Sequence, residues 1–345
     1  MLTVEEVESI DSLGLYKYFE DWPNHCQKAL NLQIKHTINF NPSRIIYSGL
    51  GGSAAPGDIL KNWLSSILKI PFIVLKDYDL PEYVGRQDLV LAVSCSGDTE
   101  EVLQVTKNAL NRGCNILTIS SGGMLEDFSI KNSIPFTKIT RLKVSRASFP
   151  YLFYVSANIL KKLELIKDVE KQLYSSTLSI KEIQKEISVH TPINKNPAKK
   201  LASKIYDGIP IIYVSAENRK IATRFKASLN ENAKMFAHSA IIPELCHNEV
   251  EIWNNKATKL LKPLFIRHSN ESTIITNRFK VMKEIIEDAG FEVIEFWETG
   301  KDYLSRLLRS LYLLDYTSIY TAILNNENPL ETIRIDSVKR KMLKL

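Results

Sequence analysis

Arg44-Ile45-Ile46-Tyr47-Ser48-Gly49-Leu50-Gly51-Gly52-Ser53 runs from an apolar strand directly into a glycine-rich turn, and Asp58 to Leu64 beyond it can form a helix. Glycines without Cβ allow positive φ and let backbone N–H groups come close to an anion, while the start of a following helix adds partial positive charge. The same spacing also serves many strand-to-helix turns merely as a turn. It is not a Walker loop, because no Gly-Lys-Ser/Thr follows.

The texture of this strand recurs along the chain. Phe72 to Leu75, Leu89 to Val93 and Asn115 to Ile119 are short apolar runs rich in Ile and Val, separated by stretches long enough for helices. That alternation predicts a parallel sheet buried on both faces. From Ile159 to about His190 the chain turns charged and helical in period, and Thr191 to Pro197 reads as a linker or helix break. Ile211 to Ser215, Leu264 to Arg267 and Phe291 to Trp297 then repeat the buried-strand pattern, with helical stretches at Ala222 to Asn230 and Arg278 to Ala289. Two α/β units in tandem are expected, and 345 residues with 44% hydrophobic content suffice for two cores. Near the end Ile335, Val338, Met342 and Leu345 would make one apolar stripe on a helix, with Lys339 at its edge.

A second loop follows the run Leu89 to Val93. Ser94-Cys95-Ser96-Gly97-Asp98-Thr99 gathers hydroxyls just before the helical stretch Glu100 to Leu110. Such residues can cap the helix, or they can form an anion cradle with no basic residue. Both loops fall at the carboxyl ends of parallel strands, where open α/β sheets bind ligands.

Composition narrows the function classes. The net charge of +6 and pI near 8.9 arise from lysines scattered among acids, which permits an anionic substrate but makes no nucleic-acid stripe. Cys26, Cys95, Cys114 and Cys246 include no CxxC pair, and a reducing cytoplasm is expected. Met1 is followed by acidic residues rather than a basic leader, and the apolar stretches are too short or interrupted to span a bilayer. The histidines show neither His-x-His nor His-Glu-x-x-His spacing, so no metal and no cofactor is expected.

Ser48 to Asp58 and Ser94 to Thr99 together resemble the first sugar-isomerase (SIS) domain of the bifunctional phosphoglucose/phosphomannose isomerases. Val144-Ser145-Arg146-Ala147, Asn230-Glu231-Asn232-Ala233-Lys234, Pro243-Glu244-Leu245-Cys246-His247-Asn248, Asn328-Pro329-Leu330 and Arg334 to Arg340 follow in that family's order and approximate spacing, from about Ile45 to the end of the chain. The resemblance implies two tandem SIS domains, each a mostly parallel, flavodoxin-like three-layer α/β sheet flanked by helices. The expected division is a helical leader at 1–35, SIS domains at 36–165 and 206–330, a helical linker at 166–205 and a C-terminal helix at 331–345.

It also implies an aldose-ketose isomerase working on glucose 6-phosphate, mannose 6-phosphate and fructose 6-phosphate. Gly51, Gly52, Ser53, Ser94, Ser96 and Thr99 would hold the phosphosugar. Glu231 would be the base that moves a proton between C1 and C2, although by its polar neighbours alone it is equally a helix-surface glutamate. Arg146 would stabilise the enediolate, and His247 would open the sugar ring, whereas a lone His beside Cys246 can also be a packed residue. Lys339 would point toward the sugar oxygens, and Thr332 matches a small threonine associated with accepting both C2 epimers. Cys95 stands where the family often has a larger residue and reads as filler. Asp98 replaces the usual asparagine, which would place a negative charge near the phosphate unless its side chain turns away. The partner implied is a second copy of the chain, in a homodimer with a shared active site; neither nucleic acid nor membrane is implied.

Other readings are a glucose-specific isomerase and a non-catalytic phosphosugar-sensing regulator. The regulator would not need Glu231, His247 and Lys339, and the leader before Arg44 looks too short for a helix-turn-helix segment. Glucosamine 6-phosphate synthase carries two SIS domains behind a glutaminase domain, for which no room is expected here.

Overall fold

The computed structural model describes residues 2–35, 40–254 and 259–342, with the side chain of Lys339 outside that set. Three helices open the chain: α1 (Val4–Ile10), α2 (Leu15–Glu20) and α3 (Trp22–Leu30). A capping box starts α1, in which Thr3 Oγ1 accepts the Glu6 N–H and the Glu6 carboxylate accepts the Thr3 N–H.

The first sheet contains β1 (Arg44–Ser48), β2 (Phe72–Leu75), β3 (Asp88–Ser94), β4 (Asn115–Ser120) and β5 (Phe136–Lys138), all parallel and ordered β2-β1-β3-β4-β5. Its helices are α4 (Ala54–Leu64), α5 (Glu100–Asn111), α6 (Gly123–Lys131) and α7 (Phe149–Lys162). Every residue of β3 is buried, as its unbroken apolar run requires once helices cover both faces. Ile46, Val90, Val105 and Ile116 meet in one core on this sheet. The strand order reverses between β1 and β3, which brings the two glycine and serine loops to one place. The first helix begins at Ala54 rather than Asp58, because Pro56 suits a first turn, where its missing N–H costs nothing.

Two further helices, α8 (Glu170–Ile187) and α9 (Pro197–Ile205), flank the expected break at Thr191 to Pro197. Pro197 opens α9 and Asn196 caps it by accepting the Lys199 N–H at 3.0 Å. The second sheet, β6 (Ile209–Ser215), β7 (His238–Ile242), β8 (Leu261–His268) and β9 (Ile294–Glu298), is parallel and ordered β7-β6-β8-β9, the same order as β2-β1-β3-β4. With it come α10 (Arg219–Asn232), α11 (Thr273–Asp288), α12 (Tyr303–Leu324) and α13 (Ile333–Met342). Tyr213, Trp253, Phe265, Phe279 and Phe291 fill its core, and the Trp253 indole donates to the Tyr213 hydroxyl at 3.0 Å.

Residues 21–178 with 302–305 form one compact unit, and 1–20, 179–301 and 306–345 form the other. Helix α12 has no counterpart in the strand-and-helix pattern read from the sequence. Leu307, Leu308, Leu311, Tyr312, Tyr316, Ile319 and Tyr320 are all buried, and so are Arg306, Ser310, Asp315 and Ser318, so the helix is packed almost all round and its polar residues do not mark a solvent face as they do on an amphipathic helix. The C-terminal stripe does form on a helix, but Ile335, Val338 and Met342 are 42%, 62% and 56% exposed in the single chain. Leu345 lies outside the described residues. No helix among the described residues is long and apolar enough to cross a membrane.

Candidate active site

In the unit built on the first sheet, Ser53 and Thr99 occupy the N-cap positions of α4 and α5, yet neither side chain caps its helix. Their hydroxyls cross-link the loops instead. Ser53 Oγ accepts the Cys95 N–H at 3.0 Å, tying the loop after β1 to the loop after β3. Ser94 Oγ accepts the Gly97 N–H at 3.0 Å and lies 2.8 Å from Thr99 Oγ1, while Ser96 Oγ accepts the Asp98 N–H at 3.1 Å. At α5 the first N–H groups, left without a side-chain cap, are presented to what lies beyond the helix, whereas at α4 the Ala54 N–H is already bonded to the Gly51 carbonyl by the tight turn Gly51–Ser53. Gly51, Gly52, Ser53, Ser94, Ser96 and Thr99 thus belong to two loops joined by hydrogen bonds.

Two glycines are required by close approach. A Cβ on Gly52 would sit 2.9 Å from the Arg146 amide nitrogen, so the absence of a side chain lets the segment Ser145–Ser148 lie against the first loop. Gly97 has φ of +86°, and a Cβ there would fall 1.7 Å from the Gly122 carbonyl oxygen. Arg146 is 5% exposed, rather than being the surface charge that an arginine in a polar loop usually is. Cys95 is buried, donates from Sγ to Ser148 Oγ at 3.2 Å, and has its thiol pKa pushed up by burial, so it packs rather than reacts. Asp98 turns aside: its Oδ1 accepts the Met124 N–H at 3.0 Å, at the start of α6.

The other unit holds the remaining candidates. Glu231 is half-buried in the last turn of α10, near the Arg224 guanidinium. Arg224 and Ser228 on the same helix bind Asp315 of α12, with Arg224 Nη2 at 3.0 Å and Ser228 Oγ at 2.5 Å from its oxygens, and Asn232 donates to Ser318 Oγ at 2.8 Å. This buried seam fixes the rotation of α10 and hence the direction of Glu231. Lys234 Nζ donates to the Asn328 carbonyl at 2.5 Å, joining the segments Asn230–Lys234 and Asn328–Leu330. Thr332 is half-buried directly before α13. Lys339 belongs to that helix, but its side chain lies outside the described residues.

His247 ends a helical turn, Glu244–His247, that follows β7, and it is exposed. Leu245 buries the turn against the core, and the next turn, Glu249–Ile252, is held by His238, whose Nε2 lies 3.0 Å from both carboxylate oxygens of Glu249. Glu231 lies before the amino end of β7 and His247 beyond its carboxyl end. The residues after α10, Ala233 to Met235, line a cavity of about 490 Å³ with Gly208 and Ile209 where β6 begins, whereas His247 follows the carboxyl end of the parallel strand β7. Among the described residues no group of three or more His, Cys, Asp or Glu side chains is placed to hold a metal ion.

Residues 40–124 match the SIS domain, and residues 194–342 match the bacterial phospho-glucose isomerase C-terminal SIS domain. The chain is 31% identical over 331 residues to the bifunctional phosphoglucose/phosphomannose isomerase of Caldicellulosiruptor bescii, covering 94% of this chain and 97% of that one. It belongs to the bifunctional phosphoglucose/phosphomannose isomerase family. A second relative is the D-glucosamine-6-phosphate 4-epimerase of Sulfolobus acidocaldarius, 29% identical and covering 72% of this chain and 76% of that one. The crystal structure of a hypothetical protein from Thermus thermophilus shares the fold, with a TM-score of 0.71 at 13% identity, covering 99% of this chain and 90% of that one. In this member of the isomerase family, the matched segment 40–124 carries both cross-linked loops, and 194–342 carries Glu231, His247, Thr332 and Lys339.

The sequence reading missed one group of residues altogether. At the carboxyl edge of the second sheet, His268 and Glu298 pair in register as the last residues of β8 and β9, and both are buried. Burial pushes the Glu298 carboxyl up to about 8, against the opposing pull of Arg306, Asn218 and Ser310. The available signal was a charged residue ending each of two apolar strands, in Ile266-Arg267-His268 and Phe296-Trp297-Glu298.

Proposed function

We propose that this chain interconverts glucose 6-phosphate and mannose 6-phosphate with fructose 6-phosphate, through ring opening and a cis-enediolate. Supporting this, beside the family membership, is the pair of loops cross-linked between Ser53 and Cys95, which gathers the glycines of the first loop and the start of α5, where the Thr99 hydroxyl does not cap the helix. A dianionic phosphate suits such a place, because N–H groups and hydroxyls can surround its oxygens without a mobile lysine. In this reading Gly51, Gly52, Ser53, Ser94, Ser96 and Thr99 hold the phosphosugar.

His247 moves the proton between the ring oxygen and the anomeric hydroxyl, opening the pyranose. Glu231 then takes the proton from C2 of the open aldose as electrons shift toward the C1 oxygen; the C2 hydroxyl proton passes to the C1 oxygen, and Glu231 returns its proton to C1 as the C2 carbonyl forms, giving the ketose. Arg146, held in a buried place, meets the negative charge that exists on the enediolate but not on the substrate, which lowers the barrier rather than merely tightening binding. By the family resemblance Lys339 is assigned to the same oxygens, and Thr332 to the acceptance of either C2 epimer. Glucose 6-phosphate and mannose 6-phosphate converge once C2 becomes planar, so one enediolate serves both. The reaction needs no metal, and the enzyme works as a cytoplasmic homodimer.

The test is isomerisation in D2O with a chelator present, on both aldose phosphates, with glucosamine 6-phosphate included because one relative is an epimerase of that sugar. Solvent deuterium should appear at C1 or C2 of the hexose phosphates, and Glu231→Gln should lose at least about a hundredfold in kcat while still binding the phosphosugar. Retained turnover in Glu231→Gln would remove it as the base. Turnover of glucosamine 6-phosphate alone would assign the epimerase activity instead.

A further inference from the structure

The second sheet reverses its strand order between β6 and β8, just as the first does between β1 and β3, and such a place is where an α/β sheet takes its ligand. In the first sheet glycines and hydroxyls stand there. In the second, β6 runs into Ser215-Ala216-Glu217-Asn218, with a carboxylate in place of the glycines. Arg306 donates through Nη2 to Glu217 Oε1 and through Nη1 to His268 Nδ1 at 3.1 Å. That leaves Nε2 as the N–H of the His268 ring, and it lies 3.3 Å from Glu217 Oε2. The two donors therefore converge on one carboxylate, and they are buried, Arg306 at 7% and His268 at 2% exposed.

Neutral groups surround this triangle. Asn218 is fully buried at the N-cap of α10 without capping it, and its amide, Ser215 Oγ and Ser310 Oγ make no hydrogen bond of good geometry among the described residues. Glu298 Oε2 is 3.7 Å from Arg306 Nε. Burial pushes the Glu298 carboxyl up to about 8, which favours its neutral form beside Arg306. The His268 hydrogen bond, with the charge of Arg306, in turn holds Glu217 below the usual carboxylate range, so Glu217 is the anion of the cluster.

We infer that the ligand position of the second sheet is an oxyanion site, and that the Glu217 carboxylate fills it as a built-in ligand. A guanidinium fork and a ring N–H aimed at two oxygens bind phosphate or sulfate as well as a carboxylate. Glu217 is only partly buried and sits on a short turn, so it reaches in from the rim rather than forming the wall. The chain thus closes its second cradle against phosphorylated ligands while keeping the donors that would hold them. This inference goes beyond the isomerase reading and does not depend on it.

The test uses the full-length chain and inorganic phosphate. Glu217→Ala and Glu217→Ser should each bind one phosphate more per chain than the parent by calorimetry, at an affinity at least about tenfold above anything the parent shows there, because in the parent the carboxylate must first be displaced. Sulfate should bind the same place, within hydrogen-bond distance of Arg306 and His268 in a crystal, and chloride at matched ionic strength should not substitute. If either variant folds poorly, phosphate but not chloride should restore folding. No added equivalent in a folded variant, or no rescue of an unfolded one by phosphate, overturns the inference.

Discussion

Asp98 Oδ1 accepts the Met124 N–H at 3.0 Å, so the one acidic residue of the second loop serves the start of α6, where Gly122 at the N-cap offers no side chain. An asparagine would make the same bond through its own Oδ1, which explains how aspartate is accommodated without setting a charge against a phosphate. Asp98→Asn should therefore change stability by less than about 0.5 kcal/mol and leave KM for the phosphosugar within about twofold. Asp98→Ala should cost about 1 kcal/mol, the usual worth of a helix cap, and raise KM as the loop loosens. Denaturant melts and steady-state kinetics decide it: a tenfold lower KM in Asp98→Asn would mean that the carboxylate does face the phosphate.

Thr99 is the second place where the hydroxyl goes somewhere other than its helix. Its Oγ1 lies 2.8 Å from Ser94 Oγ, which in turn accepts the Gly97 N–H. Thr99→Ser should keep this chain and behave as wild type. Thr99→Ala should raise KM for the phosphosugar by about tenfold while costing roughly 0.5–1.5 kcal/mol of stability, the net worth of one hydrogen bond. Calorimetric titration with a 6-phosphorylated aldonate measures the loss of affinity directly, and unchanged affinity would reduce Thr99 to a structural residue.

Much of the fold was legible because buried parallel strands advertise themselves. Arg44–Ser48 and Phe72–Leu75 coincide with the runs picked out by composition, and the others differ by a few residues at their ends. The short edge strand β5 was not legible, since Phe136–Lys138 has too few residues to show a pattern. Nor was α12, which is packed almost all round, so that Asp315 and Ser318 fall on buried faces instead of marking a solvent side. At the site, loop chemistry was readable from Ser, Gly and Thr at strand ends, but the choice between capping and cross-linking was not, because both use the same residue types. The Glu217, His268, Glu298 and Arg306 cluster joins two strand ends, a turn and a helix far apart in sequence, so only the fold assembles it.

Glu298 gives the chain a pH dependence whose sign can be worked out. Its folded pKa of about 8 stands above the unfolded value of 4.5, so the folded state holds the proton more tightly. The resulting stabilisation is fully present below about pH 4.5 and is lost as pH rises through about 8, at up to about 1.4 kcal/mol per pH unit. Glu298→Gln, which imitates the protonated acid, should remove this slope. The difference between wild-type and Glu298→Gln unfolding free energies should widen in favour of the variant from about pH 4.5 to about pH 8, where the unfolded carboxyl is ionised and the folded one is not, and should level off above that. Parallel curves would mean that Arg306, 3.7 Å away, already holds Glu298 ionised.

The last prediction concerns how Glu231 and His247 come to act on one sugar. Helix α10 runs back along the sheet after β6, and β7 then returns in the direction of β6, so Glu231 and His247 finish near opposite ends of β7. Five residues of strand span roughly 17 Å, too far for both side chains to reach neighbouring atoms of one hexose. His247 is exposed on an anchored turn, as a residue lent to a neighbour would be. In a twofold dimer each chain would lend its histidine to the site containing the other chain's glutamate. A heterodimer of one Glu231→Gln chain and one His247→Ala chain then holds one site with both residues intact and one with neither. If each chain built its own site, every site would lack something. Mixed dimers isolated by two different tags should recover up to roughly half of the wild-type activity per dimer, while both parent variants remain low. Fresh cyclic substrate and short assay times are needed, because spontaneous ring opening otherwise masks the loss of His247. No recovery in a confirmed heterodimer would rule out the shared site.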